Sequence, residues 1–474
     1  MCGIIGVYPG TKKARKKIVT TAVMGLHALQ HRGQDSCGMA FVIDGIINSI
    51  KTDGTIAEAW KARQFDSLEG GFLGLGHVRY PTKGKRSGTR EEMIRNAQPF
   101  QMYLKGIGQI ALVHNGTIFN SDKYRKKILA NGQIFQSDTD SEVVMRMLSL
   151  EKGSLVKRLK KVIKKVKGGL SLIIITRKEL IGVRSANGFW PLEVGQKGKA
   201  YILASETSAL ETNNFQHIRE VQPGEILIIS KKGMRSYKIK SSVKATPCIF
   251  ELIYISRPDS KTFGRSISRV RMAIGERLAK DCPIKADLVC AMPDSGTAAA
   301  IGYARESKIP FEQGIIRNHY ERGRAFQKDT TASRRRKTRM KLPIDRNIVR
   351  GKVIIVVDDS IVRSDTMRTM IKRLYKAGAK KVHILIACSP VFHPCYFGID
   401  TPSYAELFAN GCKSIKAVEK KGVKKLGMAS LHFISIEKVY KACGKKYRGK
   451  HSAFCDACFT GNYPLKISQV KRPK

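Results

Sequence analysis

Acidic residues are scarce in this chain: 38 Asp and Glu stand against 87 Lys and Arg, a net charge of +49. Tryptophan occurs only 2 times, and aromatic residues make up 7%. Long apolar runs are missing as well. Stretches such as 172–175 and 353–357 are of strand length, far below the ~20 residues that cross a bilayer. The Met-Cys-Gly start lacks the charged, then apolar, then small-residue order of a secretory signal. These absences exclude a membrane role on this reading and set the expectation of a soluble, cytoplasmic protein. In that compartment 11 cysteines point to catalysis or metal binding ahead of disulfides.

The shortage of acids leaves a positive field that attracts polyanions, both nucleic acid and phosphorylated metabolites. The basic residues are dispersed, however: they recur at 12–17, 157–167 and 420–425, mostly at helical spacing on solvated faces. No zinc-finger spacing or stacking-aromatic motif of an RNA-binding module accompanies them. A general lysine bias and functional polyanion binding both stay open; the densest patch is 333–339.

A length of 474 residues with 42% hydrophobic content suits two or three cored domains. Up to about residue 240 the pattern is one of short apolar or alternating strands (38–43, 110–113, 172–175) between Gly and Asn turns, with a helix over 140–150. From about 265 strand and helix alternate: helix 267–280, strand 286–291, helix 297–306, strand 353–357, helix 366–377, strand 382–387. Such alternation predicts a parallel sheet with crossover helices.

What is present at the very start is chemically pointed. Cys2 opens the run Cys-Gly-Ile-Ile-Gly, and removal of Met1 would give one residue both a thiol and an α-amino group. The thiolate is the nucleophile, and an amine titrating near ~7.7–8 can take its proton. Other polar segments follow: Gln-His-Arg-Gly-Gln-Asp-Ser at 30–36, Gly-His-Val-Arg-Tyr-Pro-Thr at 76–82, His-Asn-Gly at 114–116 and Thr-Asp-Ser-Glu at 139–142. In this order they resemble the class II glutamine amidotransferases, whose glutaminase domain is an N-terminal nucleophile hydrolase. The resemblance implies Cys2 as nucleophile, with the Asn115 amide and Gly116 N–H as donors to the tetrahedral oxyanion. It further implies Arg79 as a fork for the glutamine carboxylate, Asp140 for its ammonium, and Arg32 and His77 in support, His77 alternatively as a packed ring.

Later, the hydrophobic strand 353–357 ends in Asp358 and Asp359, followed by Ser360 and Arg363. Ligands bind at the carboxyl ends of strands in open α/β sheets. Paired acids there suit ribose hydroxyls and Mg2+, and a following helix N-terminus suits a phosphate. This segment resembles the phosphoribosyl pyrophosphate (PRPP) motif of type I phosphoribosyltransferases. The turn with Asp294, Ser295, Gly296 and Thr297 resembles their pyrophosphate loop, with Ser295 joining Asp358 and Asp359 around Mg2+. Residues 254–260 resemble a junction segment, with Tyr254 near an ammonia route.

Together the segments resemble one family, the glutamine phosphoribosylpyrophosphate amidotransferases, in their iron–sulfur-containing branch. The fold implied is an α+β N-terminal nucleophile hydrolase (an αββα sandwich) over 2–240, then an α/β type I phosphoribosyltransferase domain with a parallel sheet over 241–474. The activity implied is hydrolysis of glutamine and amination of PRPP to 5-phosphoribosylamine, the opening step of purine synthesis. A homo-oligomer, dimer or tetramer, is a family expectation. The contexts of Cys248, Cys395, Cys455 and Cys458 match those that hold a [4Fe–4S] cluster; read alone, the Cys455/Cys458 pair also fits redox or zinc chemistry.

The chain departs from the family in three places. Ser364 and Asp365 precede Thr366 where the family has Gly-Thr before Thr. The mobile loop after 326 is altered, although basic residues remain at 334–341. Trp190 stands in place of an arginine. An aspartate beside a phosphate is repulsive unless a cation offsets it. Two other readings therefore accompany the first: a glutaminase feeding a different phosphorylated acceptor, and a non-catalytic basic paralogue that binds RNA or the ribosome.

Overall fold

The structure, a computed structural model, describes residues 1–80, 89–320, 336, 338–401 and 403–467. The chain divides into two compact units. The first comprises Met1–Cys248 and Cys395–Asp400, the second Ile249–Pro394 and Thr401–Lys474.

The first unit is built on two antiparallel sheets. One has seven strands in the order Gln216–Glu220, Glu193–Lys197, Ala200–Ala204, Gly3–Tyr8, Gly74–Arg79, Ser36–Ile43, Ile46–Asp53. The other has six: Gly233–Lys238, Glu225–Ser230, Leu180–Arg184, Gly168–Ile175, Gly108–Ile118, Phe100–Leu104. The period of two along a strand explains how the sheets are packed. In Gly3–Tyr8, Ile4 joins an inner core with Leu75, Val113, Ile173 and Leu203, where residues of both sheets meet. Its neighbour Ile5 faces the other way, into a core with Ile18, Leu26, Met39 and Phe41. The helix Ile18–Ala28 supplies part of that outer layer. On the other flank, Asp140–Leu150 and Leu155–Lys165 bury Val144, Leu148, Leu159 and Val162 against Leu112, Leu172 and Ile174. Each such fully buried aliphatic side chain contributes roughly 1.5–3 kcal/mol. The result is the αββα layering that the sequence resemblance implied.

The second unit carries a four-stranded, all-parallel sheet in the order Leu288–Ala291, Val353–Asp358, Lys381–Ile386, Ser430–Phe433. Its central strand reads as an unbroken apolar run because it is buried on both faces. The helices Ile267–Asp281 and Thr297–Ser307 cross closely: a Cβ on Gly275 would stand 1.9 Å from the Ala299 carbonyl oxygen, and one on Gly302 2.0 Å from that of Met272. Several bounds differ from the sequence expectation, two of them with a visible cause. The first strand begins at Leu288, after Asp287 has turned its carboxylate to the Val353 N–H at 2.7 Å. The later helix begins at Asp365, an acid in the first turn where the helix dipole favours it.

Candidate active site

Cys2 sits just ahead of the central strand of the seven-stranded sheet and is buried. Its backbone N–H donates to Asn115 Oδ1 at 3.1 Å, and its thiol to the Tyr80 carbonyl at 3.5 Å. Arg32 Nε donates to the Cys2 carbonyl at 3.0 Å. Register explains the company it keeps: Gly3 lies opposite Val78, which brings the end of Gly74–Arg79 alongside, and Arg79 in turn lies opposite Ser36.

Asn115 and Gly116 arrive from the six-stranded sheet. Asn115 is fully buried, and its Nδ2 has no hydrogen-bond partner. A buried donor left unpaired costs about 1–3 kcal/mol, and such an atom marks a place prepared for an acceptor. Gly116 has φ +142°, and a Cβ there would lie 2.0 Å from the Gly169 carbonyl oxygen. No other residue fits. Asp140, the first residue of its helix, takes the Ile118 N–H on Oδ2 at 2.7 Å, and its Oδ1 lies 3.9 Å from His114 Nδ1.

Arg79 is buried, which lowers its pKa. The charges of Cys2, Asp35 and Asp140 oppose that shift, so these groups share one electrostatic neighbourhood. His77 is fully buried, and burial, then the Arg79 and His114 charges, hold its pKa well below the ordinary histidine value. It is a neutral ring, not a base for bulk protons.

Two parts of this site were not assigned from the sequence. Glu206 is fully buried, and its Oε1 accepts Arg32 Nη1 at 2.5 Å and faces His31 Nε2 at 2.8 Å. It fixes the guanidinium that holds the Cys2 carbonyl. The polar run Ser-Glu-Thr-Ser at 205–208, directly after an apolar strand, was its available signal. His114 was noted only as part of a motif. Its Nδ1 pairs with Ser141 Oγ at 3.0 Å and its Nε2 with the Gly169 carbonyl at 3.2 Å, while its N–H donates to Gln98 Oε1 at 2.6 Å. Burial lowers its pKa against the pull of Asp140. This ring locks the Asn115–Gly116 backbone to the neighbouring strand and to the helix that carries Asp140.

Trp190 is buried in the same unit, and its Nε1 donates to the Phe397 carbonyl at 2.9 Å. The Phe397 ring stacks on Phe189 at 4.5 Å, and Tyr80 Oη donates to Asp400 Oδ2 at 3.1 Å. The substitution for arginine is thus a packed anchor for the segment Cys395–Asp400.

In the second unit the acid pair ends the strand Val353–Asp358. Burial raises the Asp358 pKa well above the carboxylate range, with the Asp359 charge adding to it. Burial also raises that of Asp359, opposed by hydrogen bonds from Ser295 and Ser360 and by the Arg271 charge. Two adjacent carboxyls that repel one another, Asp359 buried and Asp358 half-buried, fit a cation, and the Ser295 hydroxyl stands with them. Gly296 lets its turn approach the same strand: a Cβ there would lie 2.5 Å from the Val357 carbonyl oxygen. Asp294 is 3.9 Å from Arg317, and Thr297 opens its helix. Arg363 is paired with Glu406, a partner the sequence did not reveal. Ser364 is the N-cap of the helix that starts Asp365–Thr366. Tyr254 lies in a single π-helical turn, Glu251–Ile255, and is 39% exposed.

All eleven cysteines are outside disulfides. Cys248 and Cys395 belong to the first unit, Cys455 and Cys458 to the second. Burial raises the pKa of the Cys395 thiol, opposed by hydrogen bonds from the backbone N–H groups of Phe397, Ile399 and Gly398. Among the described residues no group of three or more His, Cys, Asp or Glu side chains gathers as a metal centre, and no helix is long and apolar enough to cross a membrane. Pro81 and Thr82, the altered loop 321–332, and 333–335 with 337 of the basic patch lie outside the described residues.

Comparison with known proteins supplies the class first. Residues 87–212 match the family described as glutamine amidotransferase domain, which agrees with a two-sheet unit that gathers Cys2, Asn115 and Gly116. Over 99% of its length the chain is 38% identical to amidophosphoribosyltransferase 1, chloroplastic, of Arabidopsis thaliana, covering 80% of that protein. It is 36% identical to amidophosphoribosyltransferase of Methanocaldococcus jannaschii, with 99% of both covered. The solved glutamine PRPP amidotransferase of Bacillus subtilis, complexed with ADP and GMP, superposes with a TM-score of 0.88 at 36% identity, covering 99% of this chain and 98% of that one. The chain belongs to the amidophosphoribosyltransferase family.

Proposed function

We propose that this enzyme hydrolyses glutamine at Cys2 and passes the ammonia to PRPP, giving 5-phosphoribosylamine, pyrophosphate and glutamate in purine synthesis. The observation that carries the glutaminase half is the Asn115 amide, whose Oδ1 is on Cys2 and whose buried Nδ2 awaits an acceptor. With Met1 removed, the Cys2 nitrogen becomes the amine that takes the thiol proton, oriented by Asn115 Oδ1. The thiolate adds to the glutamine amide carbon, and the oxyanion falls to Asn115 Nδ2 and the Gly116 N–H. Collapse releases ammonia and leaves a thioester, and water then frees glutamate and restores the thiol. Arg79 and Asp140 hold the substrate's carboxylate and ammonium, while Arg32 and His77 support them.

In the second half-reaction ammonia attacks the ribosyl C1 and pyrophosphate departs. Asp358, Asp359 and Ser295 would hold Mg2+, which offsets the charge of the leaving pyrophosphate. Asp294, Gly296 and Thr297 would face that group, and Ser360, Arg363, Ser364, Asp365 and Thr366 the 5′-phosphate, with Tyr254 on the ammonia route. Cys248, Cys395, Cys455 and Cys458 would carry a [4Fe–4S] cluster. Four thiolates suit such a cluster, which would be structural. The division into a glutaminase domain at 2–240 and a transferase domain at 241–474, cytoplasmic location and a homo-oligomeric state are part of the same proposal.

The test incubates the N-terminally processed protein with glutamine, Mg2+ and PRPP. Glutamate and pyrophosphate should appear together. Glutamate release indifferent to PRPP would point to another acceptor. Salt-sensitive RNA binding that survives Cys2→Ala, with neither product formed, would overturn the enzymatic reading.

A further inference from the structure

Arg271 is an arginine in the wrong place for its charge. It lies on the inward face of the helix Ile267–Asp281 and is only 3% exposed. Burying a guanidinium is costly unless it is fully bonded. Its Nε donates to the Leu252 carbonyl at 3.1 Å and its Nη2 to the Ser256 carbonyl at 2.7 Å. Both acceptors belong to one feature, the π-helical turn Glu251–Ile255 and the residue that ends it. Single π-turns have poor internal bonding and frequently sit at functional sites. This one is further fixed by Ser256 Oγ, which donates to Glu251 Oε2 at 2.6 Å and accepts from Thr262 Oγ1 at 3.1 Å.

One rigid, planar donor therefore holds the turn that presents Tyr254 at two points, one on either side of that residue. A lysine has no fork with which to span two carbonyls. We propose that Arg271 is a positioning residue of the transfer step, holding the Glu251–Ile255 turn, and with it Tyr254, so that ammonia reaches the acceptor. This rests on the reading of the transferase half given above.

The experiment compares the full-length protein with Arg271→Lys and Arg271→Met in three assays: glutamate release from glutamine without PRPP, pyrophosphate release with free ammonium, and pyrophosphate formed per glutamate. In both variants the first assay should be unchanged. In Arg271→Met pyrophosphate per glutamate should drop about tenfold, more than pyrophosphate release with saturating ammonium does, and Arg271→Lys should fall between. Equal losses of glutamate release and of ammonium-dependent pyrophosphate release, with the ratio unchanged, would reduce Arg271 to a stability role and overturn the proposal, as would an unchanged ratio in Arg271→Lys. Should Arg271→Met fail to fold, the Lys variant decides. Absence of pyrophosphate from the unsubstituted protein would instead count against the PRPP reading.

Discussion

Asn115 serves Cys2 with only half of its side chain: the oxygen is on the Cys2 nitrogen at 3.1 Å, and the amide nitrogen is buried with no partner. On the proposed mechanism, removing that nitrogen removes one oxyanion donor. Asn115→Ala should lower kcat for glutamate release by about 10²–10³-fold and leave ammonium-dependent pyrophosphate release within the error of the assay. Equal losses in both would show that the residue acts on folding.

Gly116→Ala tests the backbone half of the same hole. The new methyl meets the Gly169 carbonyl at a backbone conformation that L-residues rarely adopt. Glutaminase activity should vanish. Urea unfolding should show a loss of stability of at least ~1–3 kcal/mol.

Trp190→Phe keeps a smaller aromatic ring and removes the N–H that serves the Phe397 carbonyl. The lost hydrogen bond and the cavity left in a buried site should together cost at least about 1 kcal/mol, read as a lower denaturation midpoint with an unchanged slope.

The pair Glu193–His217, at 2.8 Å, governs a pH dependence of stability. Burial raises the Glu193 pKa from the ordinary 4.5 to about 7, opposed by the bond to His217 and assisted by the Glu220 charge. The folded state therefore holds a proton that the unfolded chain has released. Stability contributed by this group is highest below 4.5 and declines as pH rises to about 7. Glu193→Gln abolishes that slope, so its melting temperature relative to the parent protein should be higher at pH 8 than at pH 5 by calorimetry. An equal difference at the two pH values would mean that the carboxylate is charged throughout.

Cys455→Ser addresses the cluster. The anaerobically purified parent protein should contain iron and acid-labile sulfide, and the variant should lose both. Zinc without sulfide in the parent would replace the cluster with the alternative the Cys455/Cys458 spacing also allows.

What could be read from the sequence followed the distance over which each feature is encoded. The run 353–357 with Asp358 and Asp359 is local, so strand, burial and acids were all visible in a dozen letters. The Cys2, Asn115 and Gly116 positions were visible through their motifs, but His114 was not assigned a role, because its partners Gly169 and Ser141 come from elsewhere in the chain. Glu206 acts on a residue 174 positions away, and no period or spacing connects them. The π-turn at Glu251–Ile255 has no sequence signature distinct from an ordinary helical turn; it is defined by bonding, and part of that bonding is supplied by Arg271. Glu406 opposite Arg363 is likewise a tertiary pairing.

The six residues Cys395–Asp400 belong to the first unit although the long second-unit segment Ile249–Pro394 precedes them. During synthesis, then, the indole of Trp190 and the ring of Phe189 are made long before the Phe397 they pack on. The glutaminase unit is left with an uncovered aromatic face until the ribosome has passed residue 400. Its completion is a late event of translation, and a fragment ending at 248 would never reach it.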